Sequence, residues 1–109
     1  MRDVVIVSTA RTPLTKAARG SFNNTTSPTL GAYSVAAAVE RAGVEGGEID
    51  DVLFGAAMQQ GSQTMNVARL IGLRAGLPVT VPGMSIDRQC SSGLMTIATA
   101  AKQIIVDRQ

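Results

Sequence analysis

The apolar residues of this chain alternate between short strand-like runs and helix-spaced stripes, and this alternation constrains the fold most strongly. Val4–Val7 is an unbroken β-branched run, typical of a strand buried on both faces. Gly43 and Pro78 follow helix-spaced stripes and mark their ends. This β-α-β-α-β-α order predicts an α/β fold with a parallel or mixed sheet and right-handed crossovers. We predict strands at residues 3–8, Val52 to about Ala57 and Met84–Ile86, and helices at about Pro28–Ala42, Asn66–Ala75 and Ser91–Asp107.

The composition is that of a packed globular chain of one domain at most. Its 109 residues are 45% hydrophobic and 17% charged, which excludes a disordered segment or a charged tail. The formal net charge is +2, but the basic residues are scattered and aromatic residues make up 3%. Nucleic-acid recognition uses clustered basic residues or aromatic stacking platforms, so we predict no nucleic-acid partner.

The sequence also bears on location. No apolar run approaches the roughly 20 residues of a membrane span, and Val4–Val7 is too short for a signal peptide. Cys90 is the only cysteine, so an internal disulfide is impossible, and a lone thiol favours a reducing compartment. We therefore predict a cytoplasmic protein with no membrane partner. Histidine is absent, so chemistry that needs an imidazole base or metal ligand cannot be completed by this chain alone, and we predict no metal site.

Cys90 is the candidate catalytic residue because it lies where a predicted strand meets a predicted helix. The unsatisfied N–H groups and the dipole of a helix N-terminus favour a thiolate, which is the nucleophilic form. Small residues at Ser91, Ser92 and Gly93 would let a substrate carbonyl approach, and their N–H groups could serve as oxyanion donors. The alternative is that Cys90 is a small buried hydrophobe in tight packing.

The helix after Cys90 has no charged residue between Arg88 and Lys102. Helices that are apolar or small on every side are usually buried between layers. We therefore predict that Cys90 lies in the first turn of a largely buried helix, in which the side chains of Leu94, Ile97 and Ala101 are mostly buried.

Other polar residues allow two interpretations each. Arg11 could contact an anionic ligand, or it could anchor a loop through backbone carbonyls. The uncharged polar loop could line a pocket or contact a subunit, or it could be a solvated loop. Adjacent acids at Asp50 and Asp51 are usually just exposed. The polar side chains of that loop are Gln59, Gln60, Gln63 and Asn66.

Two motifs make the sequence resemble the thiolase family. Residues 5–13 read VIVSTARTP, and Arg88–Leu94 reads RQCSSGL. The similarity extends in order through the whole chain, including the loop Gly61–Asn66 with Ala68-Arg69 behind it and the segment Gly76–Pro82. The resemblance implies a thiolase-like layered fold and an acyl-CoA acyltransferase. The RQCSSGL form is most similar to the 3-ketoacyl-CoA branch of the family.

The resemblance assigns roles as well. Cys90 matches the nucleophile that takes the acyl group as a thioester. Coenzyme A and acyl-CoA are implied as substrates, with no covalently bound cofactor. Family members form dimers in which the strand before the nucleophile lies at the subunit contact, so a homo-oligomer, dimer or tetramer, is expected through residues near Met84–Arg88.

Family members are several times longer than this chain. Residues 1–109 therefore read as a truncated N-terminal part of a thiolase N-terminal domain. The family's activating histidine, second cysteine and most coenzyme A contacts come later, so the chain alone is expected to be inactive. Asp87 stands where the family usually carries asparagine, and its carboxylate should oppose thiolate formation. The alternative function is a non-catalytic fragment or assembly subunit that binds other protein.

Overall fold

Two short parallel strands, each followed by a helix, form the centre of the fold in the computed structural model, which describes residues 1–109. Val52 pairs with Gly83 and Gly55 with Ile86, and the Ala56 N–H extends the ladder by donating to the Ile86 carbonyl at 3.0 Å. Short 3₁₀ turns lie at Gly46–Glu48 and Gly61–Gln63. The elements in chain order are α1 (Ser27–Ala42), β1 (Val52–Gly55), α2 (Val67–Arg74), β2 (Gly83–Ile86) and α3 (Ser92–Lys102), which a π-helical turn (Gln103–Asp107) continues.

The predicted α/β class is confirmed, and the predicted helices and two of the strands form close to their expected positions. Local signals placed them well. Gly43 ends α1 in the left-handed region with φ 67°, which favours glycine. Asn66 caps α2 through its side chain, which accepts from the Arg69 N–H. α1 begins at Ser27, one residue before the predicted start at Pro28, and its N-cap is Thr26.

The strand predicted at residues 3–8 is wrong. These residues join no ladder, and the sheet is a two-stranded parallel pair, not a three-stranded or mixed one. Val5, Ile6 and Val7 are more than 70% exposed. A β-branched run favours extended backbone, but it becomes a strand only when a neighbour accepts its hydrogen bonds. Here Ile6, Ser8 and neighbouring residues lie along β1 across a cavity of about 550 Å³, so no ladder closes.

The expectation that α3 is largely buried is also wrong. Leu94 is 71% exposed and Ile97 55% exposed, while only Ser92 and Thr96 of this helix are buried. α3 packs against β1 and, less extensively, against β2, which leaves Leu94 and Ile97 exposed. A sequence without charged residues allows a helix to be buried, but burial also requires a second element that packs against the helix.

The core lies between α2 and the two strands. It consists of two small clusters, and only 12 of 109 residues are buried. α1 packs on α2 where Gly31 meets Ile71; a Cβ on Gly31 would lie 2.5 Å from Ile71 Cδ1. No helix has the length and apolar character needed to cross a membrane. The clusters are Val52, Ala68, Leu77 and Val81, and Ala56, Val67 and Ile71.

Candidate active site

Cys90 lies in the short turn that connects β2 to α3. Cys90 is exposed, and its thiol forms no disulfide. The first residue of α3 is Ser92 and the N-cap is Ser91, so Cys90 precedes the helix instead of lying in its first turn as predicted. Among residues 1–109, Cys90 is therefore not a buried hydrophobe. An exposed thiol beside a helix N-terminus is accessible to a large electrophilic substrate.

The two serines after Cys90 close this turn. The Arg88 carbonyl accepts from Ser91 N–H at 3.1 Å and from Ser91 Oγ at 2.8 Å. The Gln89 carbonyl accepts from Ser92 N–H at 3.1 Å and from Ser92 Oγ at 2.6 Å. Ser92 Oγ also accepts from Arg88 N–H at 2.9 Å. Because the Ser91 and Ser92 N–H groups are used in the turn, Gly93 N–H is the one candidate oxyanion donor that no turn carbonyl engages.

Asp87 and Gln89 set the other side of the turn. Gln89 has φ 51°, a left-handed conformation that few residues with side chains adopt. Asp87 Oδ1 accepts from Gln89 N–H at 2.9 Å. The Asp87 side chain, which the sequence singles out for its charge, therefore holds the backbone of the turn. None of the turn's hydrogen bonds uses the backbone of Cys90.

A glycine of β1 lets the start of α3 approach the sheet. A Cβ on Gly55 would lie 2.6 Å from the Ser92 carbonyl carbon and 2.7 Å from Gly93 N. These are backbone atoms and cannot move away singly, so only glycine fits. Sequence reasoning missed this residue, although a glycine inside a strand run is a known signal of close backbone approach.

A polar network fixes β2 beneath α2. Asn66, itself at φ 61°, donates from Nδ2 to the Gly83 carbonyl at 2.7 Å. Ser85 Oγ donates to Asn66 Oδ1 and accepts from Ala68 N–H, both at 3.0 Å. The Arg69 guanidinium donates to the carbonyls of Val79 and Val81. Asn66, assigned from sequence to a pocket or a solvated loop, is thus a structural residue of the strand that leads to Cys90.

The remaining candidates do not gather around Cys90. Arg11 donates to the Thr12 carbonyl at 2.9 Å, as expected of a loop anchor. Arg11 and Gln63 line a cavity of about 320 Å³ between α1, α2 and the end of β1, and Cys90 is not among its lining residues. Gln59 Nε2 donates to the Ala56 carbonyl, and Gln60 is exposed.

The acid pair also separates into two roles. Asp50 is exposed, as expected. Asp51 is half-buried and accepts from Val52 N–H at 2.8 Å through Oδ1 and from Gln103 Nε2 at 3.3 Å through Oδ2. Asp51 therefore ties the start of β1 to the turn that follows α3, which the sequence did not indicate.

Comparison with known proteins decides the family. Residues 4–109 match the thiolase N-terminal domain. The chain belongs to the thiolase family. It is 47% identical over 106 residues to a 3-ketoacyl-CoA thiolase of Bacillus subtilis and 43% identical over 105 residues to that of Saccharophagus degradans. These alignments cover 97% and 95% of this chain, and 27% of each relative.

A solved structure shows the same fold over nearly all of this chain. The acetyl-CoA acetyltransferase of Bacillus anthracis matches 96% of this chain with a TM-score of 0.89 and 39% sequence identity. The match covers 26% of that chain. The thiolase-like fold predicted from the motifs is therefore confirmed, and the chain spans about a quarter of the length of the thiolases it matches.

Proposed function

We propose that this chain supplies the nucleophilic part of a thiolase, in which Cys90 accepts an acyl group from an acyl-CoA. In the degradative direction, Cys90 Sγ attacks the 3-keto carbonyl of a 3-ketoacyl-CoA. The bond between the α and β carbons breaks, and its electron pair leaves with acetyl-CoA, which takes up a proton. The sulfur of free coenzyme A then attacks the Cys90 thioester, which releases a shortened acyl-CoA and returns the thiol. The reverse sequence condenses two acyl-CoA molecules.

The observation that carries this proposal is the exposure of Cys90 on a turn whose hydrogen bonds are all made by its neighbours. The thiol is not committed to packing or to the fold. Gly93 follows Cys90 by three residues, and its N–H is a candidate donor to the oxyanion that forms when the carbonyl is attacked. No covalently bound cofactor is needed. The first half-reaction breaks a carbon–carbon bond whose electron pair the thioester carbonyl of the departing acetyl-CoA stabilises, and the second exchanges the Cys90 thioester for a coenzyme A thioester.

We further propose that residues 1–109 form the N-terminal part of a thiolase N-terminal domain and do not turn over alone. The mechanism needs a base to activate the thiol and an acid for the departing acetyl-CoA, and the chain has neither a histidine nor a second cysteine. The cytoplasm is the proposed location, consistent with a lone free thiol.

A chimera tests the assignment of Cys90. The aligned segment of the Bacillus subtilis 3-ketoacyl-CoA thiolase is replaced by this chain, and thiolysis of acetoacetyl-CoA is measured. We expect activity that falls at least about a thousandfold in Cys90→Ala, as when one member of a catalytic unit is removed. The isolated 109-residue chain should show no turnover. Activity that survives Cys90→Ala, or turnover by the isolated chain, would contradict the proposal.

We propose a homo-oligomer that pairs through residues near Met84–Arg88. β2 has one partner in the sheet, so its outer edge offers unpaired backbone groups to another chain. Sedimentation at micromolar concentration should show association of the isolated chain. A compact monomer of 11.3 kDa would count against it.

The second candidate is a non-catalytic subunit that binds other protein, and the exposed apolar residues favour it. Val5, Ile6, Leu94 and Ile97 are each more than half exposed, which is unusual for a monomer of this size. The Cys90→Ala variant distinguishes the two functions. An assembly subunit should still bind its protein partner after this substitution, and its chimera should show no thiolysis with or without the thiol.

A further inference from the structure

Each peptide group next to Gln89 is held by a side chain from one end of the Cys90 turn. The peptide group between Arg88 and Gln89 is held through the Gln89 N–H, which donates to Asp87 Oδ1 at 2.9 Å. The peptide group between Gln89 and Cys90 is held through the Gln89 carbonyl, which accepts from Ser92 Oγ at 2.6 Å. These two peptide planes determine φ and ψ of Gln89, and therefore the direction in which Cys90 leaves the turn.

We propose that Asp87 and Ser92 are positioning residues for Cys90: they hold Gln89 in its left-handed conformation and thereby fix the direction of the Cys90 side chain. The inference rests on the proposed role of Cys90 as the nucleophile. Neither residue reacts with substrate. They act through the backbone, so that the sulfur is already placed when an acyl-CoA arrives.

The two residues contribute differently because their surroundings differ. Ser92 is 5% exposed, and its hydroxyl both donates and accepts, so its two bonds are shielded from water. Asp87 is exposed and acts only as an acceptor. A side-chain amide offers the same acceptor oxygen without the charge. The structure therefore predicts that Asp87→Asn keeps the turn and that Asp87→Ala releases it.

This restraint is needed because the conformation it holds is unfavourable. A residue with a Cβ is crowded at positive φ and would otherwise return to negative φ. Such a change at Gln89 would rotate the Cys90 peptide plane and move the sulfur. A misplacement of about 1 Å at a reacting atom can lower a rate by about a hundredfold.

Amide exchange and spin labelling of the 109-residue chain test the proposal directly. In Asp87→Ala, exchange of the Gln89 N–H should become at least about threefold faster, because an exposed hydrogen bond gives modest protection. A nitroxide attached to Cys90 should tumble more freely. Asp87→Asn should match the parent chain in both measurements. In Ser92→Ala, exchange of the Arg88 N–H should become at least about tenfold faster, and Ser92→Thr should restore it.

The chimera supplies the catalytic readout. Asp87→Ala should lower kcat about tenfold while KM stays within about twofold, because the nucleophile is displaced but substrate binding is not. Asp87→Asn should retain or raise kcat, because it keeps the acceptor oxygen and removes the charge. Circular dichroism checks that each variant is folded. Asp87 is exposed, so its pair of variants decides the question even where Ser92→Ala or Ser92→Thr fails to fold.

The outcomes separate the two proposals. If Asp87→Ala leaves the Gln89 exchange rate, the nitroxide spectrum and kcat unchanged, positioning by Asp87 is refuted while the function of Cys90 stands. If Asp87→Asn behaves like Asp87→Ala, the charge matters and not the acceptor, which also overturns the inference. If chimera activity is independent of Cys90, the proposed function fails whatever the exchange rates show.

Discussion

Replacing Gly55 by alanine should displace the start of α3 from the sheet. The new Cβ would lie 2.6 Å from the Ser92 carbonyl carbon, 2.7 Å from Gly93 N and 2.8 Å from the Ser92 carbonyl oxygen. Ordinary contacts of a Cβ begin near 3.4 Å, so the nearest atom is about 0.8 Å too close. All three atoms are backbone, and no side-chain rotation relieves the clash.

The cost follows from that geometry. Overpacking of a well-packed site typically costs about 1–3 kcal/mol, and we expect Gly55→Ala to lie in the upper half because a whole helix terminus must shift. Urea unfolding followed by far-ultraviolet circular dichroism measures the loss in the free energy of unfolding. Because the Cys90 turn is bonded to Ser92, Gly55→Ala should also accelerate amide exchange at Arg88.

Gly47→Ala is the matched control, because a Cβ there meets no atom within 4 Å and the glycine has no positive φ. Its effect should be neutral or stabilising by up to about 1 kcal/mol, through the loss of unfolded-state entropy. If Gly55→Ala unfolds at the same urea concentration as Gly47→Ala, the close approach of α3 to β1 is not as described.

Substitutions at three further positions test the Cys90 turn, the cap of α2 and the core. Gln89→Gly should raise the free energy of unfolding by up to about 1 kcal/mol, because glycine avoids the steric cost of roughly 1–2 kcal/mol that a Cβ has at positive φ and loses part of that gain through its greater conformational entropy in the unfolded chain; a decrease in urea unfolding would contradict the left-handed turn. Asn66→Ala should cost about 1–2 kcal/mol through the lost helix cap, and Asn66→Asp, which keeps Oδ1, should cost less in the same assay. Ile71→Ala should cost about 2–5 kcal/mol as a buried truncation, and a thermal melt unchanged from the parent would show that Ile71 is not in the core.

Elements with local signals could be predicted from the sequence. Gly43 and Asn66 are examples, since a left-handed C-cap and a side-chain N-cap are each determined by one residue and its immediate neighbours. The strand and helix patterns on either side likewise located Cys90 between β2 and α3, because alternation before it and helical spacing after it are local signals.

Features that depend on distant partners could not be predicted. Val4–Val7 carries every local preference of a strand, but no neighbouring strand pairs with it here. Leu94 and Ile97 lie in a stretch without charged residues, between Arg88 and Lys102, yet both remain more than half exposed. In both cases the apolar sequence allows burial, but whether these side chains are buried depends on which other elements pack against them.

The support of Cys90 shows why motif recognition and structure answer different questions. The motif marks Cys90 as the proposed nucleophile, because the proposed chemistry requires a thiol there. It does not show that Asp87 and Ser92 act on opposite sides of Gln89, since that depends on a backbone conformation that no pattern of side chains encodes directly. Nor does it show that Gly55, thirty-five residues earlier, makes room for the helix that starts beside the thiol. A nucleophile of this kind is therefore specified by chemistry at one position and by backbone geometry at several others.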